Sequence, residues 1–410
     1  MSDVEIHATP HRRLKLGVAG LGKAFTVMLP SLAVDPRIEL VAAADPRSEA
    51  TRRFASDFDA RVYASVGELC ADPGVEVVYL ATPHQHHAEH IAVAAVHGKH
   101  VLVEKPMAIS LAECDRIIDA VERAGIVLVV GHSHGFDRPI QRTRELIEKG
   151  TVGAARMINA LYYTDFLYRP RRPEELVTAE GGGVVFSQGA HQVDMVRLLG
   201  GGRVARVRAL TGAWDSARPT EGAYAALLTF VDGAFASILY SGYAHFDGDE
   251  LTAGIGELGR EKAADWYGSA RRNLKRATNA LEEAALKQTR NYGGVDYREP
   301  GVPSVSDAWY EHFGFVLVSC DRADLRPLPT GVMIYGDDVA RFEPLARPDV
   351  PRAEVFDELY GAIIRGRPPL HDARWAKATL EVCLAMLDSA REGREIALAH
   401  QVAVPSRRGA

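Results

Sequence analysis

The chain has 410 residues, 47% of them hydrophobic and 25% charged, with 37 glycines and 21 prolines. That composition suits a folded protein of two or three domains and excludes collagen-like, low-complexity and largely disordered classes. With 48 basic and 54 acidic residues the net charge is −6. Nothing electrostatic therefore draws the chain to nucleic acid or an anionic membrane, and no apolar run approaches the ~20 residues of a membrane helix.

Residues 1–13 hold Arg12 and Arg13 but no apolar stretch, so they are expected to be a mobile tail and not a secretory leader. From Leu14 onward, short apolar runs at residues 14–19, 39–44, 75–80, 100–103 and 126–130 predict strands. Amphipathic patterns at 48–58, 89–96 and 111–124 predict helices between them. The last of these has Ser110 as N-cap, Glu113 to complete a capping box, and Gly125 to end it. Strands of near-continuous apolar character alternating with helices predict a parallel sheet covered on both faces over residues 14–135.

The pattern changes after Gly150. Residues 223–231 and 234–240 flank Asp232-Gly233 and predict a hairpin with a type I′ turn. Residues 205–210 and 332–334 are further strand candidates, so residues 136–404 are expected to form a second domain on an antiparallel sheet. Within it, residues 250–305 shift in composition and suggest an insertion. Its basic stretch, Arg271, Arg272, Lys275 and Arg276, is expected to be a solvated helix face. Residues 353–395 are strongly helical in pattern, and 405–410 suggest a tail. Cys70, Cys114, Cys320 and Cys383 are scattered, which gives no disulfide framework and makes a reducing cytoplasm the expected compartment.

Three motifs carry chemistry. Gly17-Val-Ala-Gly20-Leu21-Gly22-Lys23 follows the first strand and opens a helix, where glycines let the backbone approach a pyrophosphate and free N–H groups face it. Asp45 ends the second strand and can accept from a ribose hydroxyl while repelling a 2′-phosphate. NAD is therefore favoured, although Arg47 nearby keeps NADP open. Second, Glu104-Lys105-Pro106 follows the strand ending at Val103, where the carboxyl ends of an α/β sheet meet their ligand. A lysine in a dry site there can act as acid or base; the plainer alternative is a Glu104–Lys105 surface pair.

Gly-x-x-Gly-x-Gly, Thr82-Pro83-x-x-x-His87 and Glu104-Lys105-Pro106 together resemble the Gfo/Idh/MocA oxidoreductases. The resemblance spans residues 14 to about 397. It implies an α/β N-terminal Rossmann domain, a doubly wound parallel sheet, plus an α+β C-terminal domain with a large, mostly antiparallel sheet. It also implies NAD(H) or NADP(H), a homodimer or homotetramer built on the sheet face, and no catalytic metal. Gly20, Leu21, Gly22, Lys23, Asp45, Arg47, Thr82, Pro83, His87, Glu104 and Lys105 are then the cofactor contacts, with His87 near the nicotinamide. Lys105 is implied in proton transfer, and its bond to Pro106 can be cis.

The third motif is Gly181-Gly-Gly183 followed by Ser187-Gln188-Gly-Ala-His191. The family places an Asp four residues before this histidine; here Ser187 stands in that position. His191 is the second catalytic candidate, with Ser187 and Gln188 as weaker hydrogen-bond partners. Asp194 is expected to support the helix instead of reacting. Tyr162-Tyr163-Thr-Asp165-Phe-Leu-Tyr168-Arg169-Pro-Arg171-Arg172-Pro173 combines aromatics with guanidinium forks suited to a planar anion. Tyr163, Asp165, Arg169 and Arg172 are the binding candidates, and Arg171 is expected to face solvent. A basic surface loop is the alternative. With His132-Ser-His134-Gly-Phe136-Asp137, the segment resembles the branch acting on phthalate dihydrodiols, and adds His134 to the substrate site. His84, His86, His87, His90, His132 and His134 could suggest a metal, but no H-E-x-x-H pattern accompanies them, and none is expected. A sugar or inositol dehydrogenase on the same scaffold, and a non-catalytic NAD-binding regulator, stay open as alternatives.

Overall fold

The computed structural model describes residues 12–298 and 307–405. The tails expected at 1–13 and 405–410 lie almost wholly outside them. Arg12 pairs with Glu76, and Arg13 donates to Ile38 O at 2.8 Å, so these two residues lie against the first sheet.

The first sheet is laid down by β1 (Leu14–Ala19), β2 (Ile38–Ala44), β3 (Arg61–Tyr63), β4 (Val77–Leu80), β5 (His100–Val103) and β6 (Leu128–Val130). Between them run α1 (Lys23–Val34), α2 (Ser48–Phe58), α3 (Val66–Ala71), α4 (His87–Val96) and α5 (Leu111–Ala124). The order is β3-β2-β1-β4-β5-β6, every pair parallel. Chain order reverses between β1 and β4, which opens a crevice at the carboxyl ends of the strands. The interior strands are buried on both faces, which is why each reads as a solid apolar run. The edge strand β3 is three residues long and has no such run. Ser110 caps α5 by accepting from Glu113 N at 3.3 Å, and Gly125 stops it at φ +63°.

After α6 (Arg138–Glu148) the chain builds a nine-stranded sheet. Its strands are β7 (Ala155–Tyr163), β8 (Val204–Gly212), β9 (Ala223–Phe230), β10 (Phe235–Ser241), β11 (Phe315–Cys320), β12 (Asp324–Leu328), β13 (Gly331–Tyr335), β14 (Ala340–Pro344) and β15 (Ile396–Ala397). The order is β14-β13-β12-β11-β7-β10-β9-β8-β15, and only β7–β10 is parallel. The β9–β10 turn differs from the type I′ expectation. Gly233 N donates to Phe230 O and Phe230 N to Ala234 O, so the loop has three residues, with Gly233 alone at positive φ (+89°). A type I turn closed by a glycine bulge fits this pattern. Tyr162 and Tyr163, expected within a loop, end β7 and so face opposite sides of the sheet.

The helical C-terminal stretch is two helices, α10 (Ala353–Arg365) and α11 (Ala373–Glu392), because Gly366 at φ +63° and the Pro368-Pro369 pair break it. α10 drives Val355, Phe356 and Leu359 into the core beneath the first sheet, and α11 packs on both α5 and β8. Together they join the two sheets. Among the described residues no helix is long and apolar enough to cross a membrane.

The 250–298 segment is not loosely attached. It carries α8 (Ser269–Leu274) and α9 (Ala280–Thr289) and then plants Tyr292 into the first sheet's helices. Tyr292 is 1% exposed and edge-on to Phe25 at 5.2 Å, and its hydroxyl donates to Asp57 Oδ2 at 2.6 Å. Arg271 is no solvated charge either: it lies over the Tyr168 ring at 4.0 Å and donates to the carbonyls of Tyr243 and Ala244. Tyr292→Phe keeps the packing but strands the Asp57 contact, so thermal or urea denaturation should show a loss of about 1 to 2 kcal/mol. An unchanged midpoint would mean the hydroxyl contributes nothing and the ring alone anchors the segment.

Candidate functional site

The crevice begins where β1 turns into α1. Gly20 sits at φ +92°, and a Cβ there would fall 2.7 Å from Ala81 O, so the backbone can only pass this close without a side chain. The N-cap of α1, Gly22, has no side chain to cap the first-turn N–H groups and faces open space. Uncapped donors at the positive end of a helix suit a pyrophosphate. Lys23 opens onto the crevice facing Glu257, Arg169, Arg290 and Arg352; burial and the neighbouring guanidiniums lower its pKa. The residues therefore fit a dinucleotide.

Asp45 lies at the end of β2 as predicted. Its Oδ2 accepts from Leu21 N at 2.7 Å, which ties it to the glycine turn. Arg47 donates through Nε to Asp45 Oδ1 (3.0 Å), through one terminal nitrogen to Leu21 O (2.7 Å) and through the other to Tyr292 O (3.3 Å). That guanidinium is already committed on three sides and has little left for a 2′-phosphate. NAD should bind at least ~10-fold tighter than NADP, about 1.4 kcal/mol. Parallel fluorescence titrations check this, and equal affinities would mean that Arg47 leaves Asp45 to meet the phosphate.

Several expected cofactor contacts are placed differently. His87 is fully buried, with Nδ1 3.0 Å from Pro106 O and Nε2 2.9 Å from Thr82 O. Burial lowers its pKa to about 4, so the neutral ring donates to one of these carbonyls while both nitrogens face backbone; His87 lies between the Thr82-Pro83 turn and the Lys105-Pro106 loop and presents no nitrogen to a ligand. Glu104 turns under the sheet, where its Oε1 accepts from the Tyr79 hydroxyl at 2.6 Å. Burial raises its pKa. It is not a surface partner of Lys105.

Lys105 is different. The Lys105–Pro106 bond is cis, and Lys105 Nζ donates to Ser187 O at 2.7 Å. Burial brings its pKa down to about 8, with Arg352 and Arg171 lowering it further and Glu104 and Glu257 opposing. Ser187 offers this carbonyl because residues Val185–Gly189 form a π turn ahead of α7 (Ala190–Leu199), and wide turns leave carbonyls outside the helical ladder. The Ser187 hydroxyl is spent on Gly183 O. Ser187 thus acts through its backbone, which corrects the side-chain role expected of it. Gln188 donates to the same carbonyl at 3.1 Å and accepts from the Tyr240 hydroxyl at 3.3 Å.

His191 is 7% exposed, and its Nδ1 is buried without a hydrogen-bond partner. Burial, then Lys105 and His134, hold its pKa well below the usual value, so the ring is neutral. It meets His134 at 4.7 Å between ring centroids and Phe313 at 5.0 Å. Asp194 is structural as expected: it accepts from Trp375 Nε1 at 2.5 Å and from the Ser133 hydroxyl, tying α7 to α11 and to the end of β6.

The arginine segment is rearranged relative to expectation. Arg172 pairs outward with Glu174 at 2.9 Å and also faces Glu175. Arg169 donates to Asp165 Oδ1 at 3.3 Å and lies 3.8 Å from Glu257. Asp165 and Arg169 line a cavity of about 90 Å³ with Tyr162, Asp249 and Lys262. Arg171, expected in solvent, turns inward: it lies over the Phe166 ring at 3.5 Å and donates to Phe166 O at 2.7 Å. Its Nε is buried without a hydrogen-bond partner, as is that of Arg172; Glu175 is the carboxylate whose charge supports Arg171 most, and the Arg171 backbone N–H donates to Glu283 Oε1 at 2.7 Å. Short 3₁₀ turns at Phe166–Tyr168 and Pro173–Leu176 flank the segment, and Arg169 and Arg172 keep extended backbone between them, so the alternation expected there holds with Arg171 on the inward side. Tyr163 faces away, toward Phe246, whereas Tyr162 and Tyr240 pack around Phe313 behind His134 and His191.

Sequence reasoning missed Glu257, Glu311, Phe313 and Arg352. Each comes from a segment without a local motif, and only the sheet crossing and α10 bring them to the crevice.

Comparison with known proteins agrees with this geometry. Residues 14–132 match the family described as "Oxidoreductase family, NAD-binding Rossmann fold", and residues 140–260 match "GFO/IDH/MocA C-terminal domain". The 1-carboxy-3-chloro-3,4-dihydroxycyclohexa-1,5-diene dehydrogenase of Comamonas testosteroni is 46% identical over 92% of this chain and 95% of its own. A putative dehydrogenase from Bordetella bronchiseptica RB50 superimposes with a TM-score of 0.87 at 43% identity, covering 94% of this chain and all of that one. The WlbA dehydrogenase of Bordetella pertussis, solved with NADH and UDP-GlcNAcA, shares the fold at a TM-score of 0.66 and 20% identity over 95% of this chain and 99% of its own. The chain belongs to the Gfo/Idh/MocA family and is an NAD(P)-dependent dehydrogenase.

Proposed function

We propose that this dehydrogenase oxidises a ring secondary alcohol on a carboxylated cis-dihydrodiol, with NAD as acceptor. The observation that carries the reading is the pairing of a buried, low-pKa lysine, Lys105, with an inward arginine, Arg171, whose buried Nε has no hydrogen-bond partner. The two are close enough for Arg171 to depress the lysine's pKa. The Comamonas relative's name describes a carboxylated ring diol, which supports the same substrate class.

The Gly20–Gly22 turn would hold the pyrophosphate of NAD and Asp45 its adenosine ribose, and the nicotinamide would supply the hydride acceptor. Lys105, deprotonated and held by Ser187 O, accepts the hydroxyl proton at Nζ. His191, neutral, hydrogen-bonds the same hydroxyl and orients it. Gln188, fixed by Tyr240, and the Phe313 wall hold the ring. Arg171 takes the carboxylate. Oxidation of one hydroxyl of a cis-dihydrodiol gives an enone that tautomerises to a catechol, and aromatisation drives the reaction forward.

Absorbance at 340 nm across carboxylated dihydrodiols, their decarboxylated analogues, inositols and aldoses tests the reading. The expected result is a specificity constant highest for the carboxylated diols. A preference for inositols or aldoses would transfer the chain to sugar chemistry, and no reduction with any of them would leave a nucleotide-binding regulator.

The homo-oligomer, dimer or tetramer, is proposed to form through the outer sheet face, where Leu210, Leu227 and Phe235 are 63%, 47% and 41% exposed. The four cysteines are free thiols, which suits a cytoplasmic setting.

A further inference from the structure

We propose that His132, His134 and Glu311 hold a divalent first-row cation on the wall of the substrate pocket beside His191, with Glu257 next to it, and that the ion's open positions take oxygen atoms of the substrate.

The argument begins with Asp137, at the start of α6. Its Oδ1 lies 3.1 Å from His132 Nε2 and its Oδ2 2.7 Å from His134 Nδ1. One carboxylate thus grips both rings and orients them, as outer-shell carboxylates do for metal-binding histidines. Burial lowers the pKa of His132, so its ring is neutral. Against burial, Asp137 and Glu257 raise His134 to about 9, so an ion bound there displaces its Nε2 proton.

The other two ring nitrogens each face a second carboxylate. His132 Nδ1 lies 3.7 Å from Glu311 Oε2, and His134 Nε2 lies 3.9 Å from Glu257 Oε1. Both gaps are too long for a hydrogen bond. Imidazole nitrogens and carboxylate oxygens therefore converge across open distances. Glu311 Oε2 is itself buried without a hydrogen-bond partner, and the histidine side chains are 4% and 3% exposed. One ligand atom from each of His132, His134 and Glu311 lies within 4.8 Å of the others. An ion with bonds of about 2.0–2.2 Å to nitrogen and oxygen fills such a space with small side-chain adjustments.

The surroundings agree. Arg352 donates to Glu311 Oε1 at 2.9 Å, and Arg169 lies 3.8 Å from Glu257 Oε2. Each cation occupies one carboxylate oxygen and leaves the other aimed at the histidines. Imidazole with carboxylate favours zinc, cobalt, iron or manganese over magnesium or calcium. Three protein ligands leave positions open, as binding sites do and closed structural sites do not. The His134 ring lies 4.7 Å from that of His191, so oxygens of a diol or carboxylate held there would sit next to the proton-transfer pair. That substrate role rests on the dehydrogenase reading above; binding of the ion does not.

The test uses the full chain, stripped with EDTA and titrated with Co²⁺ while the visible ligand-field bands are followed, with metal content measured after dialysis. The expected result is one Co²⁺ per chain, displaced by Zn²⁺. Affinity should fall at least ~10-fold in His132→Asn, in Glu311→Gln and in the orienting variant Asp137→Asn, and stay unchanged in Lys105→Ala. Glu311→Gln keeps the side-chain shape, so it reads the site even if a histidine variant misfolds. Binding well below one equivalent in the wild type overturns the proposal, as does an affinity indifferent to Glu311→Gln. Stoichiometric Co²⁺ without reduction of NAD by any diol would uphold the ion and reject the dehydrogenase substrate reading.

Discussion

Lys105→Ala should lower turnover by a factor of ~10² or more while leaving NAD binding largely intact, the usual scale for loss of a general base. The side chain lies at the carboxyl end of β5, outside the glycine turn and the Asp45 corner, so its removal leaves the nucleotide's contacts in place. Lys105→Arg should be nearly as inactive, because a guanidinium keeps its proton throughout the accessible pH range. The pH profile gives an independent reading. Burial brings Lys105 to about 8, so below that pH it is protonated and cannot accept the hydroxyl proton. Alcohol oxidation should therefore rise with pH and level off above about 8, and ketone reduction, which needs the protonated form, should run the opposite way. Glu104 raises the lysine's pKa, so Glu104→Gln should move the rising limb to lower pH. A Lys105→Ala enzyme with near-normal turnover, or one that keeps the wild-type limb, would make Lys105 a structural residue.

What the sequence made legible follows from how locally each feature is encoded. The first sheet was readable because buried parallel strands are solid apolar runs and their helices carry their own stop signals, as Ser110 and Gly125 do for α5. Lys105, Asp45 and the glycine turn were readable because each sits at the end of a strand, where the fold rule alone supplies a role. The second sheet was harder. Its strand β7 pairs with β10 and β11 over long separations, and a stretch such as Ala155–Tyr163 mixes polar with apolar residues because one face is partly open. Side-chain direction was the least legible. Arg171 and Arg172 are adjacent on an extended stretch, and no local signal fixes which of the two faces the crevice. Ser187 looked like a lost carboxylate, yet the π turn gives it another way to reach Lys105. His132 and His134 look like an alternating pair with no ligand pattern; their convergence depends on Asp137, on Glu311 from beyond the described gap, and on Glu257 from the 250–298 segment.

Arg171→Ala should raise KM for a carboxylated dihydrodiol by about 10- to 150-fold with a much smaller effect on kcat, as expected for loss of one charge-assisted hydrogen bond of roughly 1.5 to 3 kcal/mol. The choice among the three arginines rests on their partners. Arg172 is held by Glu174, and Arg169 by Asp165 and Glu257, so recruiting either to a substrate would break an existing pair. The Arg171 guanidinium is held by the Phe166 carbonyl and ring with Glu175 as its nearest supporting charge, and its buried Nε has no hydrogen-bond acceptor. Burial lowers its pKa to about 10, so it remains charged at neutral pH, and an arriving carboxylate would offset the desolvation that now opposes the charge. Arg172→Ala should accordingly change KM little. The decarboxylated analogue separates this account from simple loss of packing: it cannot use the guanidinium, so wild type and Arg171→Ala should treat it alike. Arg171→Lys should recover part of the loss, because a point charge attracts the carboxylate but cannot grip both its oxygens. If Arg171→Ala instead weakened both substrates equally, the arginine would be shaping the Phe166 wall and not binding an anion, and the carboxylate would have to be sought at Arg169.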